Sequence, residues 1–157
     1  MEKFDVLILM GSNSDREMMT EAALILTEFG VAHRVETASA HRSPERVRRL
    51  VKEADRTGCS VFIAGAGKAA HLAGVVASHT TRPVIGVPLP SSPLQGMDSL
   101  LSTVQMPCGI PVATMALGKT GAQNAALLAV SILALSNDGL SQKLAKKRSD
   151  MAETFEE

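Results

Sequence analysis

Apolar and polar positions along this chain switch between a period of about two and a period of about 3.6, and each switch marks an element. Phe4 to Met10 is a short apolar run closed by Gly11, the pattern of a strand covered on both faces. From Asp15 to Phe29 the apolar residues Met18, Met19, Ala22, Ile25, Leu26 and Phe29 recur near helical spacing, and Gly30 ends the segment. Val31 to Thr37 alternates as a second strand. Pro44 suits a first helical turn, Val47, Leu50, Val51 and Ala54 mark one face of the helix it opens, and Gly58 closes it. Ser60 to Ala64 predicts a third strand, Ala69 to His79 a small-residue helix, and Pro83 to Val87 a fourth strand. Pro88 to Met97 is long for a loop in a compact domain, and loops of that length often serve as lids or binding loops. Asp98 to Val104 predicts a short helix, Pro111 to Thr114 a fifth strand, and Ala122 to Leu135 and Gly139 to Phe155 the last two helices.

Strand and helix alternate from end to end, which calls for an α/β fold: a parallel sheet of about five strands, right-handed crossovers, and helices on both faces. No repeat or low-complexity linker interrupts it, so residues 1–157 read as one domain. The segment Ala122 to Leu133 is apolar over most of its circumference, whereas a surface helix shows one stripe. It calls for cover on nearly all sides, by a neighbouring subunit or by deep burial in its own domain.

Composition removes several function classes. The chain has 157 residues, enough for one domain with a real core and no need of a metal or disulfide staple. Sixteen basic residues balance sixteen acidic ones, so there is no electrostatic footprint for nucleic acid. Trp and Tyr are absent and Phe occurs four times, which leaves little to stack bases on. Cys59 and Cys108 stand far apart with no CxxC spacing and read as reduced thiols of a cytoplasmic protein. The acidic start Met1-Glu2-Lys3-Phe4-Asp5 does not read as a signal peptide, and no run of 18 uninterrupted apolar residues predicts a membrane span.

Three polar turns carry the candidate chemistry, and all follow predicted strands, whose C-terminal ends form the ligand-binding edge of an open parallel sheet. In Gly11-Ser12-Asn13-Ser14-Asp15, Gly permits a sharp bend and Ser14 or Asp15 can cap the next helix. Free N–H groups at a helix start, with the hydroxyls of Ser12 and Ser14, suit an anion. The helix dipole supplies only about 0.3–1 kcal/mol per exposed charge, so a phosphate also needs a formal cation. Arg42, in Ser39-Ala40-His41-Arg42-Ser43-Pro44, is that cation, with the planar fork that phosphate recognition favours. An imidazole can serve as general acid and base near neutral pH, which makes His41 beside Arg42 the candidate for proton transfer. Asp15 suits ribose hydroxyls, whose hydrogen bonds it can accept. Gly65-Ala66-Gly67-Lys68-Ala69-Ala70-His71 matches neither a P-loop nor a dinucleotide fingerprint. It reads as a small-residue turn at which Gly67 lets the backbone approach a flat ligand, with His71 inside the following helix start as a neutral hydrogen-bonding group. His33 reads as strand surface and His79 as the end of a helix.

Jointly, GSNSD, SAHRSP, AGAGKAAHLAG, PVIGVPL, GMDSLLSTVQMPCGIPVAT and GAQNAALLA, in this order and spacing, closely resemble the class I N5-carboxyaminoimidazole ribonucleotide mutases of purine biosynthesis. The resemblance runs from about residue 5 to residue 135. It implies a flavodoxin-like three-layer αβα sandwich assembled as a cytoplasmic homo-octamer, with sites built between subunits and residues 139–157 forming a C-terminal helix packed on a neighbour. It implies interconversion of N5-carboxyaminoimidazole ribonucleotide and 4-carboxy-5-aminoimidazole ribonucleotide, with no metal or organic cofactor and no nucleic-acid or membrane partner. By position, Ser12, Asp15 and Arg42 would hold the ribose phosphate with Ser14 and Ser39 nearby. His41 would be the proton shuttle, and His71 would lie against the carboxylate or imidazole. The family commonly has Gly where Lys68 stands and Pro where Ala73 stands.

The nearest rival is the related carboxylase acting on aminoimidazole ribonucleotide and free carbon dioxide; it differs in the segments matching AGAGKAAHLAG and QMPCGIPVAT, where this chain sides with the mutases. A receiver module would need an acidic cluster where the first strand ends in Met10-Gly11, and a flavin binder would usually bring aromatic stacking residues.

Overall fold

The computed structural model describes residues 3–154; Met1, Glu2 and the segment 155–157, with Phe155 at the expected end of the last helix, lie outside the described residues. Five strands, β1 (Val6–Met10), β2 (His33–Thr37), β3 (Val61–Gly67), β4 (Val84–Leu89) and β5 (Ala113–Thr114), form one sheet in the order β2-β1-β3-β4-β5. Every pairing is parallel. The helices are α1 (Arg16–Phe29), α2 (Pro44–Thr57), α3 (Leu72–Ala77), α4 (Met97–Val104), α5 (Gly118–Ala134) and α6 (Asp138–Thr154). A 3-10 turn, Asn13–Asp15, precedes α1.

Two apolar layers sandwich the sheet, and the two-residue period of the strands deals side chains to them alternately. Val6, Ile8 and Met10 of β1 and Val61 and Ile63 of β3 join Met19, Leu26 and Ala122 to Val130 in the layer under α1 and α5. Leu7, Leu9, Phe62 and Ala64 point the other way, into the layer made with Val47, Leu50, Val51, Leu72 and Val76 of α2 and α3. Strands buried on both faces are why Val6 to Met10 reads as a continuous apolar run. Burying a large aliphatic side chain contributes about 1.5–3 kcal/mol, so these layers supply the main driving force.

Several boundaries differ from the sequence expectation, each for a local reason. Strand β2 starts at His33 because Gly30 ends α1 in the left-handed conformation (φ 73°) and Val31 still donates to the Leu26 carbonyl, closing the helix. Strand β3 continues through Gly65, Ala66 and Gly67, which pair with Val87, Pro88 and Leu89, so these residues are strand and only Lys68 to Ala70 turn. Strand β4 accordingly reaches Leu89. Helix α5 begins at Gly118, four residues before the expected Ala122, and Gly118, Gly121, Ala122, Ala125, Ala126, Ala129 and Val130 form its buried face. Leu127, Leu128, Ile132 and Leu133 remain half-buried and Leu135 is 88% exposed, so the chain by itself covers one side of this helix. The start of α6 is tied to the chain's own α1: Lys143 Nζ donates to the Phe29 carbonyl (2.9 Å) and Lys147 pairs with Glu28 (2.8 Å).

Helix α4 has its polarity reversed: Ser99 and Thr103 are buried, while Met97, Leu101 and Val104 are about half exposed. The Ser99 hydroxyl is satisfied internally by the Leu89 and Gly96 carbonyls. Burial pushes the Cys59 thiol up to about 11, which suits an inert core residue; Cys108 is exposed.

Candidate functional site

Loops after β1, β2, β3 and β4 meet at the C-terminal edge of the sheet around a cavity of about 570 Å³. Its walls carry Ser12, Ser14, Asp15, Ser39, His41, Arg42, Gly67 and His71 together, every position singled out from the sequence. A groove of about 630 Å³ at the opposite edge, along Lys3, Phe4, His33, Arg34 and Glu53, lies away from the strand ends where α/β ligands bind. His33 belongs to that groove, held at Val31 O by Nδ1 (3.0 Å), and His79 follows α3; neither reaches the site.

The β1 loop is shaped by its own hydroxyls. Gly11 continues the sheet pairing by donating to Gly65 O (3.1 Å), and Ser12 is extended (φ −152°, ψ 156°). Ser12 Oγ accepts from the Ser14 backbone N–H (3.4 Å) and hydroxyl (3.0 Å), so Ser12 caps this turn, and neither Ser14 nor Asp15 does. The Asp15 carboxylate, released from capping, is buried in the cavity wall. Burial raises its pKa, partly offset by hydrogen bonding to the Ser12 backbone and the Ser14 hydroxyl and by the charge of Arg42.

The β2 loop presents Arg42 and His41 from a small hydroxyl-locked turn. Ser43 Oγ accepts from the Ser39 N–H (3.0 Å) and its hydroxyl donates to the Ser39 carbonyl (3.1 Å). Ser39 Oγ in turn accepts from the Arg42 backbone N–H (3.2 Å) and from Nε (3.4 Å). Arg42 Nη2 reaches across to Gly11 O (3.4 Å), so the guanidinium spans the ends of β1 and β2.

His41 and His71, 30 residues apart in the chain, touch. His41 Nε2 lies 2.7 Å from His71 Nδ1, with the rings edge-to-face (82°, centroids 4.8 Å apart). In this hydrogen bond one nitrogen donates and the other accepts, and which does so depends on the tautomer. His71 is held by its N–H to Ala69 O (2.9 Å) and stands one residue before α3 starts at Leu72, where sequence reasoning had it inside the helix. Ala73 is then the second residue of α3, a first-turn position that also tolerates proline.

Gly67 permits close approach, as expected, but its near neighbour is protein. A Cβ there would collide with Ser91 Oγ and stand 2.9 Å from Ser91 Cβ and 3.0 Å from the Leu89 carbonyl. Ser91 thus lines the cavity, as do Gly11, Ala66, Lys68 and Leu72. The sequence marked the loop that carries Ser91, and nothing in Pro90-Ser91-Ser92-Pro93 distinguishes which serine faces the site.

A family model described as AIR carboxylase matches residues 5–154. The N5-carboxyaminoimidazole ribonucleotide mutase of Saccharolobus solfataricus is 54% identical over 146 residues, spanning 93% of this chain and 91% of that protein. The proteins of the same name from Pyrococcus horikoshii (53% over 156 residues, 99% and 87% of the two chains) and Bacillus subtilis (50% over 147 residues, 94% and 91%) are similar at comparable levels. The fold superposes on the crystal structure of Treponema denticola PurE with a TM-score of 0.88 at 30% identity, covering 96% of this chain and 92% of that one.

Proposed function

The chain belongs to the AIR carboxylase family, and from that premise we propose how its cavity performs the mutase reaction of purine biosynthesis. The reaction converts N5-carboxyaminoimidazole ribonucleotide to 4-carboxy-5-aminoimidazole ribonucleotide. The observation that carries the assignment of roles is the junction of Arg42 and the His41–His71 pair in one cavity.

Arg42 takes the phosphate. Its Nε and one Nη2 proton are engaged by Ser39 and Gly11, which aims the rest of the fork at the cavity beside the hydroxyls of Ser12 and Ser14. Asp15 accepts from the ribose hydroxyls, and burial keeps it oriented. The imidazole end of the nucleotide then lies toward His41 and His71.

The chemistry asks for one proton to be given and one taken. Protonation of N5 breaks the N–C bond of the carbamate and releases carbon dioxide and the neutral aminoimidazole. The enamine-like ring attacks carbon dioxide through C4, forming the new C–C bond, and C4 then loses its proton to restore the aromatic ring. His41 gives the first proton and receives the second, so it is regenerated and the net change is the position of the carboxyl. His71, against His41 Nε2, orients the ring and offers the partner nitrogen that holds the tautomer. The cavity holds carbon dioxide against C4 between the two steps, so recapture outpaces escape.

The reading extends to a cytoplasmic homo-octamer with α6 contributing to packing between subunits. Support comes from apolar surface that one chain leaves exposed, Met97, Leu101 and Val104 on α4 and Leu135 at the end of α5, or half-covered, Leu127, Leu128 and Ile132 on α5. Among the described residues, no helix is long and apolar enough to cross a membrane. The carboxylase that uses free carbon dioxide is the second reading, favoured only by the description of the family model.

His41→Asn tests the proton shuttle. The expected result is loss of turnover by at least about 100-fold, the low end for general acid–base catalysis, with nucleotide binding still measurable by calorimetry. Near-normal turnover in the variant would remove His41 from the role.

A further inference from the structure

Lys68 follows directly on Gly67, the last paired residue of β3, and holds φ at 55°, a left-handed conformation that glycine adopts freely and other residues resist. Its side chain is exposed on the cavity wall, and no carboxylate among the described residues lies within ion-pair distance of its ammonium. A lysine in a backbone position suited to glycine, with its charge unspent at the mouth of a site, points to a ligand for that charge.

The ligand chemistry supplies one. A ribonucleotide phosphate carries about −1.5 to −2 at pH 7, and the carboxyl group of substrate and product adds a further negative charge at the opposite end of the molecule. The cavity wall carries Arg42 and Lys68 as cations against the carboxylate of Asp15. Without Lys68, Arg42 and Asp15 cancel, and the only formal positive charge left to meet a strongly anionic ligand is the proton that His41 gives. The two cations leave different loops. Arg42 is anchored on Ser39 and Gly11 at the ends of β2 and β1, while Lys68 opens the turn after β3 that leads to His71. With the phosphate on Arg42, Lys68 is left for the imidazole end.

We propose that Lys68 is a substrate-binding residue that pairs with the migrating carboxylate, an inference resting on the functional reading of the cavity given above. Substrate and product both carry this group as an anion, whereas carbon dioxide between the two steps is neutral, so losing the ammonium raises KM and does not lower kcat.

Three variants separate charge from backbone. Lys68→Met keeps the strained conformation and most of the side-chain bulk but removes the charge; Lys68→Gly removes charge and strain together; Lys68→Arg keeps a cation. Loss of an exposed ion pair predicts that KM for N5-carboxyaminoimidazole ribonucleotide rises about fivefold in the Met and Gly variants, with kcat not reduced, and returns toward the parent value with Arg. The dissociation constant of uncarboxylated aminoimidazole ribonucleotide, measured by calorimetry, should be equal in all four proteins. An unchanged KM in Lys68→Met would overturn the proposal, leaving any effect of Lys68→Gly to the backbone. Equal weakening of the uncarboxylated nucleotide would also overturn it, by placing the ammonium on the phosphate. A parent protein that interconverts neither nucleotide would instead refute the mutase reading. The calorimetric comparison of carboxylated and uncarboxylated ligands would then still decide the role of Lys68.

Discussion

Arg42→Lys is the substitution whose consequence follows most fully from the geometry. A guanidinium carries five N–H donors in a fixed plane, and here Nε is used on Ser39 Oγ and one Nη2 donor on Gly11 O. Three donors remain for a phosphate, enough for a bidentate contact. Lysine keeps the charge but not the fork, and it loses the two anchors that fix the direction of the fork. A hydrogen bond to a charged group contributes about 1.5–3 kcal/mol, and losing one corresponds to about 10- to 150-fold in affinity. Arg42 is exposed, so screening places the expected rise in KM in the lower part, about 10- to 30-fold. The assay is steady-state turnover of the carboxylated ribonucleotide, with the dephosphorylated ribonucleoside measured as a competitor. KM should rise with kcat little changed, while the weak inhibition by the ribonucleoside stays where it was, since it brings no phosphate. Unchanged KM, or equal loss for nucleotide and nucleoside, would refute the assignment of the phosphate to Arg42.

Two further substitutions probe the support of the site. Gly65→Ala drives a methyl group into Met19, whose Cγ would stand 2.9 Å away in a fully buried position, and overpacking of this kind costs about 1–3 kcal/mol. Thermal unfolding should fall by about 2–10 °C, and adding Met19→Ala should recover part of the loss in a double-mutant cycle; strict additivity would contradict the predicted clash. Asp15→Asn tests the buried carboxyl. Its pKa is raised in the fold, so the native state binds the proton more tightly than the unfolded chain, and ionisation costs stability as pH rises through that window. The variant should therefore melt higher than the parent at neutral pH, with the gap closing as pH falls below the ordinary carboxylate value of 3.8, and it should bind ribonucleotide more weakly. A gap independent of pH would show that the carboxylate charge is not its cause.

How far the sequence carried this picture depends on which residues were speaking. The alternation of apolar runs and helical stripes gave the five parallel strands and their helices, because strands buried on both faces leave an unbroken signature in Val6 to Met10 and Val84 to Leu89. Boundaries at glycine were harder. Gly65 and Gly67 look like a turn, yet pairing with Val87 and Leu89 holds them in the sheet, a tertiary demand that local propensity does not contain. Gly118 and Gly121 hid the first turn of α5 for a similar reason: Gly121 is needed because a Cβ would meet the backbone of Ala116. The site residues were visible because they sit on strand ends with charged and hydroxyl chemistry. The contact between His41 and His71 was not, since it joins loops after β2 and β3 across the intervening β1. Ser91 was invisible for want of any local feature separating it from Ser92.

The central claim is that one carboxyl group moves within one nucleotide. Incubating the purified protein with N5-carboxyaminoimidazole ribonucleotide labelled with carbon-13 in its carboxyl group, in buffer holding unlabelled bicarbonate, and following the product by NMR, tests it directly. Label retained at the C4 carboxyl of the product is the predicted result. Product carrying unlabelled carboxyl, formed at a rate set by added bicarbonate, would contradict the account and assign the cavity to carboxylation by free carbon dioxide.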